Sequence, residues 1–307
     1  MKERVVVVDR LTRRFGDTIA VDDLSFDVAD GELFGIVGPD GAGKTTLLRV
    51  LAGVLPPHSG EANVLGLSVV REPERVKHQI AYMAQRFGLY EDLTVRENIL
   101  FYADLYQVPH VERARRLERL YAFSRLGEFQ QRLAGKLSGG MKQKLSLCCA
   151  LIHHPRVLLL DEPTFGVDPI SRRDLWLILH EMVEEGVTII VTTSYLDEAE
   201  RCDRVAMLHE GKLLALAAPA TLQRSLGGSM FAVQARSGRA AQVAARNLSN
   251  VRSATLFGET LHVLTEAEQS REQLHAELLA SGVSITGLKA IQPSLEDVFI
   301  SLVAGHD

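Results

Sequence analysis

A glycine-rich segment between an apolar run and a helical one carries the strongest chemical signal in the sequence. The segment GPDGAGKT covers residues 38–45 and fits the pattern G-x-x-x-x-G-K-[S/T]. Its glycines allow close approach of the backbone, so that amide N–H groups can surround phosphate oxygens. Lys44 can reach the β- and γ-phosphates of a nucleotide, and Thr45 can hold Mg²⁺. The pattern therefore predicts a phosphate-binding loop at a helix start.

A second apolar run ends in two carboxylates. The segment VLLLDE covers residues 157–162 and suits a parallel strand that is buried on both faces. The carboxyl ends of such strands open into the ligand crevice. There Asp161 would serve Mg²⁺, directly or through water, and Glu162 would accept a proton from the attacking water. Many buried strands end in acidic turns, but downstream of a phosphate loop the pair indicates a catalytic site.

A third segment, LSGGM at residues 137–141, opens an apparent helix. Ser138 and the amides of Gly139 and Gly140 present hydrogen-bond donors at the helix start, which predicts another anion site. The alternative is an ordinary serine that caps the helix. Two phosphate-binding helix starts about 100 residues apart in one chain suggest a nucleotide site shared between two chains.

Regularly spaced strands and helices would position these groups. Residues 3–37 are typical of strands with turns, residues 44–52 of a helix, and roughly 91–152 of a charge-rich helical region. The apolar runs at 156–163 and 187–194 predict two buried strands with a helical segment between them. Strand, helix and strand at this spacing form a βαβ unit, which indicates an α/β fold with a parallel sheet.

The composition changes near residues 225–229, and a separate pattern follows. It has the order β-α-β-β-α-β plus a final helix, which predicts a small α+β ferredoxin-like domain. We expect this domain to be a structural or dimerising cap without chemistry of its own. The predicted boundaries are 1–226 for the first domain, with a helical subdomain at about 88–155, and 229–307 for the second.

Composition excludes some classes of protein. The chain has 307 residues and a net charge of −5, which argues against a protein that binds nucleic acid through an overall positive charge. Its cysteines, Cys148, Cys149 and Cys202, are poor material for a disulfide framework and fit a reducing cytoplasm. No apolar run is long enough to cross a bilayer, and we expect no signal peptide at the N-terminus. A role at a membrane would need a membrane-spanning partner.

Over residues 3 to about 218, the chain resembles the ATP-binding subunit of an ABC transporter. The resemblance rests on six features that occur in the family's order: the phosphate loop, Gln85, LSGGM, LLLDEP, GVDP and TTSYLDEAE. The resemblance implies a P-loop NTPase fold and two chains that sandwich two ATP molecules head to tail. It implies catalytic roles for Glu162, Gln85, Ser194 and Lys44, and Mg²⁺ ligands at Thr45, Gln85 and Asp161. The residues that it places on ATP are Phe15, Gly38, Pro39, Asp40, Gly41, Ala42, Gly43, Lys44, Thr45, Thr46, Ser138, Gly139, Gly140 and Asp168.

Three of these roles have plain alternatives. Phe15 occupies the position at which the family stacks an aromatic ring on adenine, but it could equally be a core phenylalanine. Gln85 corresponds to the glutamine that senses Mg²⁺ and water and touches the membrane subunit; the alternative is an exposed linker residue. Asp168 lies in the loop that communicates across the dimer, or it is a turn aspartate before Pro169.

The tail PSLEDVFISLV at residues 293–303 resembles that of ATPases serving ABC-2-type exporters. More narrowly, the chain is similar to the first ATPase half of tandem-ATPase efflux proteins, which work with ABC-2 permeases and a membrane-fusion protein. The resemblance implies a peripheral subunit on the cytoplasmic face of the cell membrane. A soluble ABC protein that acts on ribosomes or DNA is the alternative, but the chain lacks a basic linker or coiled-coil insertion. A signalling switch such as a GTPase is set aside as well, because the sequence has no N-K-x-D segment of the kind that recognises guanine.

Two positions depart from the family pattern. Ser194 stands where the family usually has a histidine that contacts the γ-phosphate, and its hydroxyl stops roughly 2–3 Å short of where an imidazole nitrogen reaches. We therefore expect slow hydrolysis at this chain's own phosphate loop and a heterodimer with a second ABC ATPase that carries the histidine. The alternative is that serine works well enough in its own setting and that the chain forms a homodimer. Asp40 stands where asparagine is more usual, and we expect its carboxylate to turn away into solvent.

Overall fold

A computed structural model describes residues 3–85, 88–266 and 269–304 of the chain. The chain divides into two compact units, Met1–Leu216 and Ala217–Asp307. The predicted domain boundaries, 1–226 and 229–307, stay predictions. Within the described ranges, no helix combines the length and the apolar character that crossing a membrane requires.

Ten strands and seven helices account for the first part of the described chain. The strands β1 to β10 are Arg4–Phe15, Thr18–Ala29, Leu33–Val37, Ser59–Val64, Leu67–Ser68, Ile80–Met83, Val157–Asp161, Thr188–Thr193, Arg204–His209 and Lys212–Ala217. The helices α1 to α7 are Lys44–Leu51, Pro73–Gln79, Val95–Leu105, His110–Ser124, Gly139–Leu151, Pro169–Glu184 and Leu196–Ala199.

A six-stranded sheet with the order β10-β9-β3-β8-β7-β6 forms the centre of this unit. Strands β9, β3, β8, β7 and β6 run parallel to their neighbours in that series. Every residue of β3, β7 and β8 is buried, as expected for strands covered on both faces. Because parallel strands end at the same edge, the segments that follow β3, β7 and β8 meet there.

A second, antiparallel sheet has the order β2-β1-β4-β5. One hydrophobic core joins this sheet to α1 and to the central strands. Phe26 of β2 stacks on Phe34 of β3 with ring centroids 5.4 Å apart, so the two sheets share side-chain contacts. This core fixes α1 behind the phosphate loop.

Helices α3, α4 and α5 form the helical region between β6 and β7. Helix α3 begins with a capping box, in which Thr94 accepts a hydrogen bond from the backbone of Glu97 and the Glu97 carboxylate accepts one from the backbone of Thr94. Fully buried Asn98 bonds to the backbone of Tyr90, Leu93 and Thr94, which ties the preceding loop to the helix.

The second unit begins with helix α8, Pro219–Ser225. Its remaining elements, β11, α9, β12, β13, α10, β14 and α11, are Met230–Ala235, Gly238–Arg246, Val251–Phe257, Thr260–Thr265, Arg271–Ala280, Ile285–Ile291 and Leu295–Ala304. The strand order is β12-β13-β11-β14, and each neighbouring pair is antiparallel. Helices α9 and α10 pack on this sheet through one apolar core. The β-α-β-β-α-β order predicted for a ferredoxin-like domain is thus confirmed.

Candidate nucleotide-binding site

The phosphate loop is wound so tightly that two of its glycines have no room for a side chain. A Cβ on Gly38 would lie 2.2 Å from the carbonyl oxygen of Leu208, and one on Gly43 would lie 2.1 Å from that of Ala20. Gly43 also has a φ of +99°, in the left-handed region that favours glycine. Helix α1 begins at the next residue, Lys44. The loop therefore presents bare backbone at a helix start, which is the geometry of an anion site.

Lys44 is almost completely buried and is surrounded by oxygen atoms. Its Nζ donates to the carbonyl oxygens of Gly38 and Pro39 over 2.7 and 3.0 Å. It also donates to Oγ of Ser194 over 3.1 Å and lies 3.1 Å from Oε1 of Glu162. Because an ammonium group has three hydrogens, these contacts occupy all of them. A phosphate oxygen that reaches Lys44 must replace at least one of these partners.

Asp161 ends β7 beside the start of α1. Its Oδ1 accepts hydrogen bonds from Oγ1 of Thr45 over 3.0 Å and from Oγ1 of Thr192 over 2.9 Å. The hydroxyl of Tyr82 lies 3.4 Å from Oδ2, and burial is the main cause that raises the pKa of this tyrosine. The adjacent hydroxyl of Thr45 and carboxylate of Asp161 are the hard oxygen ligands that Mg²⁺ prefers.

This donor set fits Mg²⁺ bound together with phosphates. Mg²⁺ is usually held by one or two protein groups with phosphate oxygens and waters completing its shell. Within the described residues, no cluster of three or more His, Cys, Asp or Glu side chains could hold a metal by itself. Thr45 contacts Asp161, whereas Gln85 contacts Glu162 instead of either of them, and the role of these three residues on Mg²⁺ stays a prediction.

Glu162 is held at the head of the cleft by its backbone and by both carboxylate oxygens. Its φ of +47° turns the chain sharply after β7, and its N–H donates to Oγ1 of Thr192 over 3.0 Å. Gln85 donates to Oε2 over 3.3 Å, and Ser194 donates to Oε1 over 2.8 Å. The predicted catalytic residues Glu162, Gln85, Ser194 and Lys44 thus form one connected group.

Asp40 does not turn away from this group. Its Oδ1 lies 3.3 Å from Oγ of Ser194, although the residue remains exposed. The expectation that it turns away into solvent is therefore wrong, because the fold of the phosphate loop places this carboxylate beside Ser194 at the cleft. The Ser194 hydroxyl has a single hydrogen, which it donates to Glu162, because Glu162 is nearer than Asp40. The two departures from the family pattern are thus neighbours in space.

These residues border a cleft of about 330 Å³. Its lining consists of Ala20, Asp40, Gly41, Ala42, Gly43, Lys44, Thr45, Thr46, Gln85, Glu162 and Phe165. The phosphate-loop residues, Gln85 and Glu162 were predicted from the sequence, whereas Ala20 and Phe165 were not. Phe165 is 56% exposed, and only its place shortly after the two carboxylates could have drawn attention to it.

Phe15 lies at the surface. Its ring is 48% exposed, which excludes the alternative that it is a core phenylalanine. The guanidinium of Arg13 lies over this ring, 4.8 Å from the centroid. An exposed ring at the end of β1 is available for stacking, so its role on adenine stays a prediction.

The LSGGM segment opens helix α5, and its residues are not among those that line this cleft. Oγ of Ser138 accepts a hydrogen bond from the N–H of Met141 over 3.3 Å, so the serine caps the helix. Ser138 and Gly139 are exposed, but Gly140 is buried, and a Cβ there would lie 2.3 Å from Oγ of Ser171. The exposed face carries backbone donors, and the buried face packs against α6.

Asp168 caps helix α6. Its Oδ1 accepts hydrogen bonds from the N–H groups of Ile170 and Ser171 over 3.1 and 3.0 Å. The bond from the Ser171 backbone is the main cause that lowers the pKa of the Asp168 carboxyl. The structure thus gives Asp168 a capping role before Pro169, and its contact with a nucleotide stays a prediction.

Comparison with known proteins agrees with this geometry. The family description "ABC transporter" matches residues 21–165, and the description "ATP-binding protein DrrA1-3-like, C-terminal domain" matches residues 218–303. Among solved structures, "Structure of ATP binding subunit of ABC transporter" has 31% identity and a TM-score of 0.66 over 72% of this chain and 92% of that one. The ADP- and phosphate-bound cassette MJ0796 has 25% identity and a TM-score of 0.63 over 69% and 98%.

Curated relatives match nearly the whole chain. The Escherichia coli protein YbhF, a probable multidrug ABC transporter ATP-binding protein, is 43% identical over 99% of this chain, which spans only 53% of YbhF. The linearmycin resistance ATP-binding protein LnrL of Bacillus subtilis is 32% identical over 96% of each chain. The daunorubicin/doxorubicin resistance protein DrrA of Streptomyces peucetius is 33% identical over 99% of this chain and 93% of its own.

The central sheet, the glycine-rich loop and the paired carboxylates define a P-loop nucleotide-binding protein. Within that class, the chain belongs to the family of ABC transporter ATP-binding proteins. The resemblance predicted from the order of its motifs is confirmed, and so is the predicted fold class.

Proposed function

We propose that this chain binds and hydrolyses Mg-ATP as the nucleotide-binding subunit of an ABC-2-type exporter. The observation that carries the proposal is the convergence of the phosphate loop, Thr45 with Asp161, and Glu162 on one cleft. These groups are of the kinds that ATP hydrolysis requires: backbone donors for phosphates, oxygen ligands for the cation and a carboxylate for the proton of water.

The chain's residues divide the work between binding and chemistry. The amides of the phosphate loop and Nζ of Lys44 would bind the β- and γ-phosphates, and Thr45 and Asp161 would hold Mg²⁺, which would neutralise phosphate charge. Glu162 accepts a proton from the attacking water. Gln85, which donates to Glu162 over 3.3 Å, keeps that carboxylate aimed at the cleft.

The exporter assignment is supported by the second unit and by the names of relatives. The match to a DrrA-like C-terminal domain covers residues 218–303. YbhF is named for multidrug transport, LnrL for linearmycin resistance, and DrrA for daunorubicin and doxorubicin resistance. By analogy, this chain would work at the cytoplasmic face of the cell membrane with ABC-2-type permease subunits, and with a membrane-fusion protein in an efflux assembly.

The proposal includes an asymmetric, head-to-tail pair of ATPases. Ser138, Gly139 and Gly140 would complete the nucleotide site of a partner, and the partner would complete the site at Lys44. Ser194 contacts Glu162 and Lys44 but lacks the reach of an imidazole. Hydrolysis at this site would therefore be slow, and a second ABC ATPase with a histidine at the equivalent position would supply the faster site.

Purification of the native complex, with a tag on this chain, tests the assembly. We expect it to contain permease subunits and a second, different ABC ATPase. A complex whose ATPase is this chain alone, as a homodimer, overturns the asymmetric pair. Recovery with ribosomes or DNA in place of a permease overturns the exporter assignment.

Equilibrium binding of Mg-ATP to the purified chain tests the site itself, with Lys44→Ala as the variant that should lose binding.

A further inference from the structure

A buried carboxylate, that of Glu198, lies next to the site without taking part in the chemistry described above. It belongs to the short helix α7, and only 1% of the residue is exposed. Burying a carboxylate costs desolvation free energy unless hydrogen bonds and an opposite charge compensate it. The partners of Glu198 therefore indicate what its burial holds in place.

Three side chains contact the Glu198 carboxylate. Its Oε2 accepts hydrogen bonds from Oγ1 of Thr164 over 2.7 Å and from Oγ1 of Thr193 over 2.9 Å. Its Oε1 lies 3.3 Å from Nε of Arg172. Among the described residues, neither Oε1 nor that Nε has an aligned hydrogen bond. The contact with Arg172 is thus an ion pair that acts through charge.

The three partners belong to three different segments at the border of the site. Thr164 lies in the turn that begins with Glu162, Thr193 is the last residue of β8 and directly precedes Ser194, and Arg172 lies in the first turn of α6. One buried group therefore ties the turn of the catalytic carboxylate to the end of the strand that carries Ser194.

The residue on the other side of Ser194 is held by the same partners. The N–H of Tyr195 donates to Oγ1 of Thr193 over 3.0 Å. The guanidinium of Arg172 lies over the Tyr195 ring, 4.2 Å from its centroid, in a cation–π contact. The residues before and after Ser194 are therefore both held in place, and its hydroxyl donates a hydrogen bond to Glu162.

We propose that Glu198 is a positioning residue, which sets the position of Ser194 relative to Glu162 through Thr193 and Thr164. This inference rests on the proposed function, because the geometry matters for hydrolysis. Glu198 does not touch the phosphate loop through any of its contacts described above. It therefore acts on turnover and leaves the binding of Mg-ATP unchanged.

The test uses the full chain and compares Glu198→Gln with Asp197→Asn, which removes an exposed carboxylate from the same helix. For Glu198→Gln we expect kcat to fall about tenfold, because small displacements of catalytic groups cost this much or more. The KM for ATP and the equilibrium Kd for Mg-ATP should stay within about twofold. Asp197→Asn should match the wild type in all three quantities.

A double variant separates positioning from general destabilisation. If Glu198 acts through Ser194, its effect on kcat should largely disappear in a Ser194→Ala background, since coupled residues are not additive. An effect of unchanged size in that background overturns the proposal.

Thr193→Val, which removes one hydroxyl and keeps the shape of the side chain, decides the question if Glu198→Gln does not fold. It should lower kcat severalfold with KM unchanged, and a wild-type kcat overturns the proposal.

The two proposals fail in different ways. A wild-type chain that binds no Mg-ATP overturns the proposed function, and the inference about Glu198 fails with it. A wild type that binds and hydrolyses Mg-ATP, beside a folded Glu198→Gln variant with the same kcat, overturns the inference alone.

Discussion

Helices α1 and α5 both begin with glycines that expose backbone N–H groups, yet the two starts differ in the charges around them. At α1, the ammonium of Lys44 is 5% exposed and is 3.1 Å from Glu162, with Asp161 bonded to Thr45. At α5, Ser138 is exposed and caps its own helix. The first start contains the reacting groups, whereas the LSGGM residues at the second offer backbone amides and a hydroxyl and have no charged side chain.

The difference supports the proposed pair of chains. The α1 start can bind phosphates and polarise water with groups of its own. The α5 start can stabilise an anion through its amides and a hydroxyl, but LSGGM contains no carboxylate, and the nearby carboxylate of Asp168 caps α6. Its anion would therefore come from the nucleotide of another chain, and changes at the two starts should affect different measurements.

The largest expected effect follows from removing the proton acceptor at the α1 site. Glu162→Gln should lower kcat about 100-fold, because general-base catalysis contributes at least this factor. Binding of Mg-ATP should be kept or become tighter, since Lys44 loses an ion-pair partner that competes with phosphate. Steady-state Mg-ATPase and equilibrium binding measure the two quantities.

The control for this variant is Glu259→Gln, which removes an exposed carboxylate in the hairpin turn between β12 and β13. It should behave as the wild type does. Retention of half of the activity in Glu162→Gln would mean that Glu162 is not the base, and the two helix starts would then differ less than their geometry indicates.

Much of the α1 site could be predicted from the sequence because it depends on local rules. The glycine spacing determines the phosphate loop, and a buried parallel strand that ends in Asp161 and Glu162 must deliver both to the sheet edge. The N-cap role of Ser138 was likewise recognisable as one of two alternatives. The antiparallel second unit was predictable because its strands and helices alternate in a regular pattern.

Other contacts could not be predicted because they join residues that are distant in the chain. Thr192 bonds to the carboxylate of Asp161 and to the backbone N–H of Glu162, but in the sequence it is one of several β-branched residues that are typical of any buried strand. Asp40 meets Ser194, a residue 154 positions away, so its direction depends on the tertiary fold. Glu198 lies in the acidic stretch DEAE at residues 197–200, where charged side chains are usually exposed, and only the structure shows that it is buried.

At the α5 start, two neighbouring glycines offer a matched pair of substitutions. A Cβ on Gly140 would lie 2.3 Å from Oγ of Ser171, whereas one on Gly139 would meet its nearest neighbour, an oxygen of Gly166, at 3.9 Å. Gly140→Ala should lower the free energy of unfolding by about 1–3 kcal/mol, as overpacking does. Gly139→Ala should be neutral or stabilising, because alanine favours the helix.

Urea unfolding of the two variants measures this difference. If Gly140→Ala is as stable as Gly139→Ala, then α5 and α6 can move apart at this point, and the α5 start is less rigid than the α1 start. Either variant should leave the binding of Mg-ATP to the isolated chain unchanged, because neither residue lines the cleft of the phosphate loop.

A smaller effect is expected from restoring the histidine at the α1 site. Ser194→His should raise kcat about tenfold, since an imidazole spans the gap that the serine hydroxyl leaves and one positioned contact is worth at least this factor. Ser194→Ala is the control and should lower kcat further. A loss of activity in Ser194→His would show that serine is matched to the surrounding Lys44, Asp40 and Glu162, and would favour a homodimer over the asymmetric pair.

The smallest expected effect concerns the charge of Asp40, which lies on the cleft and 3.3 Å from Ser194. Asp40→Asn removes a negative charge near the phosphates, so the KM for Mg-ATP should fall about two- to fivefold, as a solvent-exposed unit charge at short range can produce. Because salt screens exposed charges, the gain should shrink as ionic strength rises. Asp9→Asn, another exposed carboxylate, should show neither change. A KM that rises in Asp40→Asn would mean that its contact with Ser194 outweighs the repulsion, and that the α1 start depends on this carboxylate to hold the serine in place.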